Sequence, residues 1–336
     1  MKRLIVFFGN ESQKVMNTAK ITLIFEPQVP LLSMIKKYFR ACWLPVTLVL
    51  MGLAGTIRAQ DTTARTPNYR ARMRTLLIGE SVLYVGSLYG LSTAWYTDPL
   101  TQFKFFDDVG EWKQIDKIGH VYTAYHIARM SAQGYRWAGQ SPRKAAWYGA
   151  LTGFIFQTPI EILDGFAPGY GFSVGDVVAN TLGSALYAGQ FGLWGEERIL
   201  PKFSFHQTRY AAVRPNLLGK GLSEEWLKDY NGQTYWFSAN VASFLPRRDE
   251  SRFPRWLNVA VGYGVENMVA AYPNSSVERG YVPYRQYFLS LDVDFARIRS
   301  NRKLVRTLLF LANSVKIPAP ALELSRKGVK FHPLYF

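Results

Sequence analysis

A chain of 336 residues with 48% hydrophobic and 15% aromatic side chains has ample material for a buried core, which excludes wholesale disorder. A single cysteine, Cys42, excludes an intrachain disulfide and a paired-cysteine metal site, and with four histidines any metal centre must lean on carboxylates. The formal net charge of +16 lies in loose clusters, one at Arg65, Arg70, Arg72 and Arg74 and one from Arg297 to Arg306, which read as solvated surface or as attraction to an anionic membrane; no nucleic-acid-binding motif accompanies them and no nucleic-acid partner is expected.

From Met34 the chain reads "MIKKYFRACWLPVTLVLMGLAGTIRAQD". Basic residues Lys36, Lys37 and Arg40 precede an uncharged apolar run from Ala41 to Ile57, and small residues end at Ala59. That order predicts a secretory signal peptide over 34–59, with residues 1–33 as an upstream extension of the reading frame. An uncleaved membrane anchor is the alternative, because the apolar run is close to the shortest that crosses a bilayer. Cys42 precedes the run, a poor position for lipid attachment.

After a polar stretch (61–74), "TLLIGESVLYVGSLYGLSTAWY" (75–96) carries one charge, Glu80, and predicts a buried helix or a membrane span. A loop over 97–110 closes it. A second helix is predicted over 114–134 and a third over 143–163, opened by Ser141-Pro142 and kinked or broken at Pro159. The glycine-rich "DGFAPGYGF" then turns the chain into a fourth helix over 174–194. Gly149 with Gly153, and Ala185 with Gly189, have the four-residue spacing that lets helix backbones approach closely, in membranes or in soluble bundles.

Beyond Pro201 the pattern changes. Residues 201–234 read as loop with one short helix at 223–230, and three segments near 235–246, 256–272 and 285–298 alternate with period two. In the last of these Tyr287, Leu289, Leu291, Val293 and Phe295 share one face and Ser290, Asp292 and Asp294 the other, a half-buried antiparallel strand. A short helix (304–313), a proline-rich turn (318–320) and "KGVKFHPLYF" follow. The terminal Phe336 suggests an outer-membrane barrel, but three or four strands fall short of the roughly eight such a barrel needs.

Polar residues recur on the predicted helices. Asp116 and His120 are i,i+4 on the second, Glu161 and Asp164 i,i+3 at the end of the third. Asp176, Asn180, Gly183 and Tyr187 form a narrow stripe on the fourth, given about 100° of rotation per residue. Converging from three helices, Asp116, His120, Glu161 and Asp176 would make an oxygen-rich site with one imidazole, suited to a divalent metal. Simpler roles compete: Ser173 and Asp176 fit a capping box, Asp116 suits a helix N-terminus, and Asp164-Gly165 a helix end. Glu161 in "GFIFQTPIEIL" resists dismissal, because a lone buried carboxylate is costly. Asn180, a poor helix former in mid-helix, implies a buried partner. His126, His206 and His332 carry no spacing signal and read as structural.

The pieces "DKIGH" (116–120), "EILD" (161–164) and "GFSVGDVVANTLG" (171–183) together resemble the YfiM-like family of bacterial envelope proteins, predicted periplasmic lipoproteins. More distantly the order is similar to that of VanZ-type membrane proteins. The resemblance implies Asp116, Lys117, His120, Glu161, Asp164, Ser173, Asp176, Asn180 and Gly183 as signature positions and brings no catalytic mechanism with it.

The expected architecture is α+β: a helical bundle with a buried polar site (60–200), then a smaller antiparallel β-containing part (201–336). The expected setting is the cell envelope, periplasmic or membrane-associated, with a membrane and a protein or cell-wall partner. Two functions are carried forward. One is a structural or interaction protein with a buried Asp/His/Glu/Asn network. The other is a metal-assisted hydrolase or transferase acting on a lipid-linked or cell-wall substrate.

Overall fold

The computed structural model describes residues 68–95, 98–245 and 253–336, all within one compact unit, Gln60–Phe336. The predicted extension, the signal or anchor segment, Cys42 and Arg65 lie outside the described residues.

Helix α1 (Tyr69–Trp95) begins earlier than predicted, taking in Arg70, Arg72 and Arg74, since arginine is a good helix former and no proline lies between Pro67 and Trp95. Its Met73 packs with Tyr135, Ala138 and Ala145, while Ile78, Val82 and Leu83 face outward. Among the described residues no helix is long and apolar enough to cross a membrane.

Helices α2 (Ile115–Trp137), α3 (Pro142–Phe166) and α4 (Val174–Leu193) pack as a three-helix layer. Close approach sets the layer: a Cβ on Gly149 would fall 2.3 Å from the Ala128 carbonyl oxygen, and one on Gly183 2.2 Å from that of Val121. The second small-residue pair does not act this way, for Ala185 is exposed and a Cβ on Gly189 would meet nothing within 4 Å. Pro159 does not end α3, which continues through it to Phe166.

The entry to α2 is a left-handed turn at Trp112 (φ 45°), Lys113 (φ 51°) and Gln114 (φ 67°), a conformation that strains residues bearing a Cβ. Groups from the C-terminal half hold it. The Trp112 amide donates to the Ala271 carbonyl at 2.7 Å, the Tyr263 hydroxyl donates to the Lys113 carbonyl, and Arg285 donates to the Gln114 side chain at 2.6 Å. This turn fixes where the first turn of α2 points.

The C-terminal half is a six-stranded antiparallel meander in the order β1 (Ile199–Phe205), β2 (Gln233–Asn240), β3 (Leu257–Glu266), β4 (Tyr284–Val293), β5 (Ala319–Ser325) and β6 (Gly328–Tyr335). Two strands hide behind prolines. Pro201 is tolerated because β1 pairs with a meander neighbour on one side only, and Pro320 falls at the register shift between Ala319 and Ala321. The count of three or four strands from alternation is thereby raised to six. A ten-residue helix, α5 (Lys303–Ala312), lies between β4 and β5.

The bundle meets the sheet through one core. Trp112 and Ile115 pack with Phe203, Tyr235, Val265 and Met268, and Tyr122 places its ring 5.6 Å from that of Tyr235. His126, read as structural, donates from Nε2 to the Pro201 carbonyl at 2.8 Å, and burial pushes its pKa down to about 3.

Burial in the sheet runs opposite to the usual rule. On β4 the polar residues Gln286, Ser290 and Asp292 are buried, while Tyr287, Leu289 and Leu291 are half exposed. The buried face carries its own polar partners: Lys202 Nζ lies 2.8 Å from Asp292 Oδ2, and the Ser238 hydroxyl donates to the same oxygen at 2.6 Å. Around Trp236, Phe288, Ala260 and Ala321 the sheet curls, bringing Tyr335 of β6 to 3.0 Å from Thr234 of β2.

Candidate functional site

Each helix of the three-helix layer delivers polar side chains to one place. Following the strained turn, the first turns of α2 present Asp116, Lys117 and His120. The last third of α3 presents Gln157 and Glu161 on one face, four residues apart. Helix α4 presents Asp176 and Asn180, also four apart, after Ser173 caps it by accepting from the Asp176 amide at 3.1 Å. The loop before α2 adds Asp108, and Tyr230 reaches in from the C-terminal half.

Lys117 is the electrostatic hub. Its Nζ lies 2.6 Å from Asp108 Oδ2, 2.6 Å from Asp176 Oδ1 and 3.3 Å from Asp116 Oδ2. Ser173 ties the loop in by donating to Asp108 Oδ1 at 2.6 Å, and the Tyr230 hydroxyl donates to Asp116 Oδ1 at 2.7 Å. Deeper in the layer, Gln157 donates to Asn180 Oδ1 at 2.6 Å, and the Asn180 amide donates to Glu161 Oε1 at 2.9 Å.

His120 joins the two halves. Its Nδ1 is 3.1 Å from Asn180 Oδ1 and 3.4 Å from Glu161 Oε1, and its Nε2 is 3.4 Å from Asp176 Oδ1. Every one of these neighbours is an oxygen acceptor, so both ring nitrogens are best served as donors, in the imidazolium form.

The ionisation pattern follows from this geometry. Burial works against the imidazolium, but Asp116 foremost and Asp176 outweigh it and hold the His120 pKa above its usual value. Burial likewise opposes the Lys117 ammonium and is overcome by Asp116, Asp108 and Asp176, which raise its pKa. Asp108 is held below the usual carboxylate range because hydrogen bonds from Lys117 and Ser173 exceed its burial cost. Burial pushes Glu161 up to about 7, with His120 opposing the rise and Asp176 adding to it. Glu161 is 1% exposed and its Oε2 has no hydrogen-bond partner among the described residues, which suits a carboxyl that keeps its proton.

Asp116, His120 and Asp176 can each offer one ligand atom, and these atoms lie within 4.8 Å of one another. A divalent ion there would have to displace the Lys117 ammonium from Asp176 and Asp116. The other residues singled out from sequence play different parts. Asp164 acts on Glu161 through its charge, and its carbonyl accepts from the Ala167 amide as α3 ends. Gly183 offers no polar group; it is the contact at which α4 meets the backbone of α2.

Sequence reasoning passed over three members. Gln157 was findable, since it precedes Glu161 by one helical turn in the same apolar run. Asp108 stood in an acidic pair that read as loop. Tyr230 lies more than a hundred positions from its partner and gave no signal.

A bundle carrying this centre, joined to a curled sheet, belongs to the cell envelope, periplasmic or membrane-associated, on the following comparison. Residues 104–189 match the family model described as predicted periplasmic lipoprotein (DUF2279), about a quarter of the chain. The matched span contains every member of the polar centre except Tyr230. No curated protein and no solved structure matched the chain.

Proposed function

We propose that this is an exported, membrane-associated envelope protein with a structural or interaction role, in which the buried Asp/Lys/His/Glu/Asn network fixes the helices against one another and against the sheet. One observation carries this reading: Lys117 Nζ stands within 2.6 Å of both Asp108 and Asp176, so the chain supplies its own cation where carboxylates converge. Tyr230 extends the network to the C-terminal half through Asp116. The resemblance of "DKIGH", "EILD" and "GFSVGDVVANTLG" to YfiM-like and VanZ-type envelope proteins supports the same setting.

A second reading, a metal-assisted hydrolase or transferase acting on a lipid-linked or cell-wall substrate, is favoured by the close carboxylate–imidazole set and by the partial exposure of Asp116 and His120. In that reading Asp116, His120 and Asp176 hold the ion and the proton-bearing Glu161 serves as acid or base.

Metal analysis of the purified full chain and of His120→Ala separates the two. The network reading expects no stoichiometric divalent metal and a variant that unfolds more readily. Stoichiometric metal that disappears in a stably folded His120→Ala protein overturns the network reading and favours the second.

A further inference from the structure

Among the described residues, the outward face of the sheet is apolar and exposed along its rows away from the Trp112–Gln114 turn, which Tyr263 and Arg285 touch at one end. Its register sets Phe237, Val261, Leu289, Leu322 and Phe331 side by side across five strands. Leu289 is 50% exposed and Phe331 59%. A neighbouring row aligns Tyr263, Tyr287, Leu324 and Val329, and on the other side Val259 pairs with Leu291. Meanwhile the polar residues of the same strands are turned inward and paired. Apolar-out and polar-in is the arrangement of sheets that face lipid, the reverse of a sheet that faces water.

The face is also graded along the strands. Read outward-facing residues down β4 and they run Leu291, Leu289, Tyr287, Arg285. The tyrosines sit next to the cations: Arg285 donates to the Tyr263 hydroxyl at 3.1 Å, and the rings of Tyr263 and Tyr287 are 5.6 Å apart. At the same end the tip of the β5–β6 hairpin adds exposed Arg326 and Lys327. Aliphatic rows, then tyrosines, then arginine and lysine reproduce the order of hydrocarbon, interface and anionic headgroup. From Leu291 to Tyr287 the strand covers about 14 Å, close to the depth of a single leaflet rather than of a whole bilayer.

We propose that this face of the sheet seats in one leaflet of a bilayer, with Leu289, Leu322 and Phe331 among the acyl chains and the Arg285, Arg326 and Lys327 rim on anionic headgroups. The inference rests on the envelope setting proposed above and names the surface that makes the contact.

The test uses the full chain carrying Cys42→Ser, reconstituted into vesicles of phosphatidylglycerol and phosphatidylethanolamine. Nitroxide labels are placed at Leu289→Cys, Leu322→Cys and, as a water-side reference, Lys220→Cys. All three positions are exposed, so the labels leave the core untouched. The expected result is a several-fold higher ratio of oxygen to nickel-reagent collisions at 289 and 322 than at 220. Arg326→Gln with Lys327→Gln lowers that ratio in anionic vesicles. Labels at 289 and 322 that stay as nickel-accessible as 220 in vesicle-bound protein overturn the proposal and leave the envelope reading standing. Labels shielded from both reagents without lipid, together with a doubled mass in solution, assign the face to a second copy of the chain and also overturn it. Envelope location is read separately by fractionation of cells, so its failure is distinguishable.

Discussion

Lys117 Nζ stands 2.6 Å from Asp176 Oδ1, joining α2 to α4 through an ion pair whose side chains are 14% and 9% exposed. The same ammonium reaches Asp108 at 2.6 Å and Asp116 at 3.3 Å, so one cation answers carboxylates from three segments. Removing one partner of such a cluster leaves the rest buried and uncompensated, and the loss exceeds what the pair itself contributes. Lys117→Met is expected to cost about 3 kcal/mol. Urea unfolding at neutral pH measures it; a midpoint equal to that of the parent protein would mean the ammonium is not holding these segments.

The centre also makes stability depend on pH. Burial raises Glu161 from 4.5 to about 7, so the folded protein keeps a proton that the unfolded chain has released. Stability therefore falls as pH rises from 4.5 towards 7, by on the order of 3 kcal/mol. His120 acts in the same direction. Its folded pKa lies above 6.5, so its contribution is complete below 6.5 and fades as pH rises through the folded value. Asp108 works oppositely at the acid end, its contribution present above 3.8 and lost as pH falls through its lowered folded pKa. Glu161→Gln is expected to flatten the decline between mildly acidic and neutral pH while retaining the hydrogen bond from Asn180. Urea titrations across that range decide the matter, and an unchanged slope in the variant would assign the pH dependence elsewhere.

Gly183 and Gly189 on α4 give a matched pair. A methyl group at 183 would fall 2.2 Å from the Val121 carbonyl oxygen, whereas one at 189 would meet nothing within 4 Å. Backbone cannot yield as a side-chain tip can, so Gly183→Ala is expected to lose about 1–3 kcal/mol by forcing α4 from α2. Gly189→Ala is expected to be neutral or to gain up to about 1 kcal/mol from helix propensity. Thermal unfolding of both variants checks this, and equal midpoints would place the helix contact elsewhere.

Much of the helical half was legible because its signals are local. Pro142 and Ser173 mark helix starts within a turn of where the helices begin, and apolar periodicity carried α2, α3 and α4 to within a few residues of their observed spans. Glu161 and Asn180 were conspicuous as polar groups in apolar surroundings, and the structure sets them 2.9 Å apart. The sheet was harder to read. Pro201 and Pro320 look like interruptions until the edge position of one and the register shift beside the other are known. The alternation in β4 gave the strand and its two faces, but a period of two is blind to which face turns inward.

The sequence by itself determined an envelope-type chain in which helices precede strands, with acids, an imidazole and an amide set at helical spacing among apolar neighbours. These features are properties of residues a few positions apart, and short-range sterics and periodicity suffice to express them. Only the tertiary structure decided that Lys117 neutralises Asp108 and Asp176, that Tyr230 closes on Asp116, and that the sheet turns its polar face inward. Those outcomes depend on distances between groups far apart in the chain. Such distances are set by helix contacts at Gly149 and Gly183 and by the strained turn at Trp112–Gln114, and no local pattern encodes them.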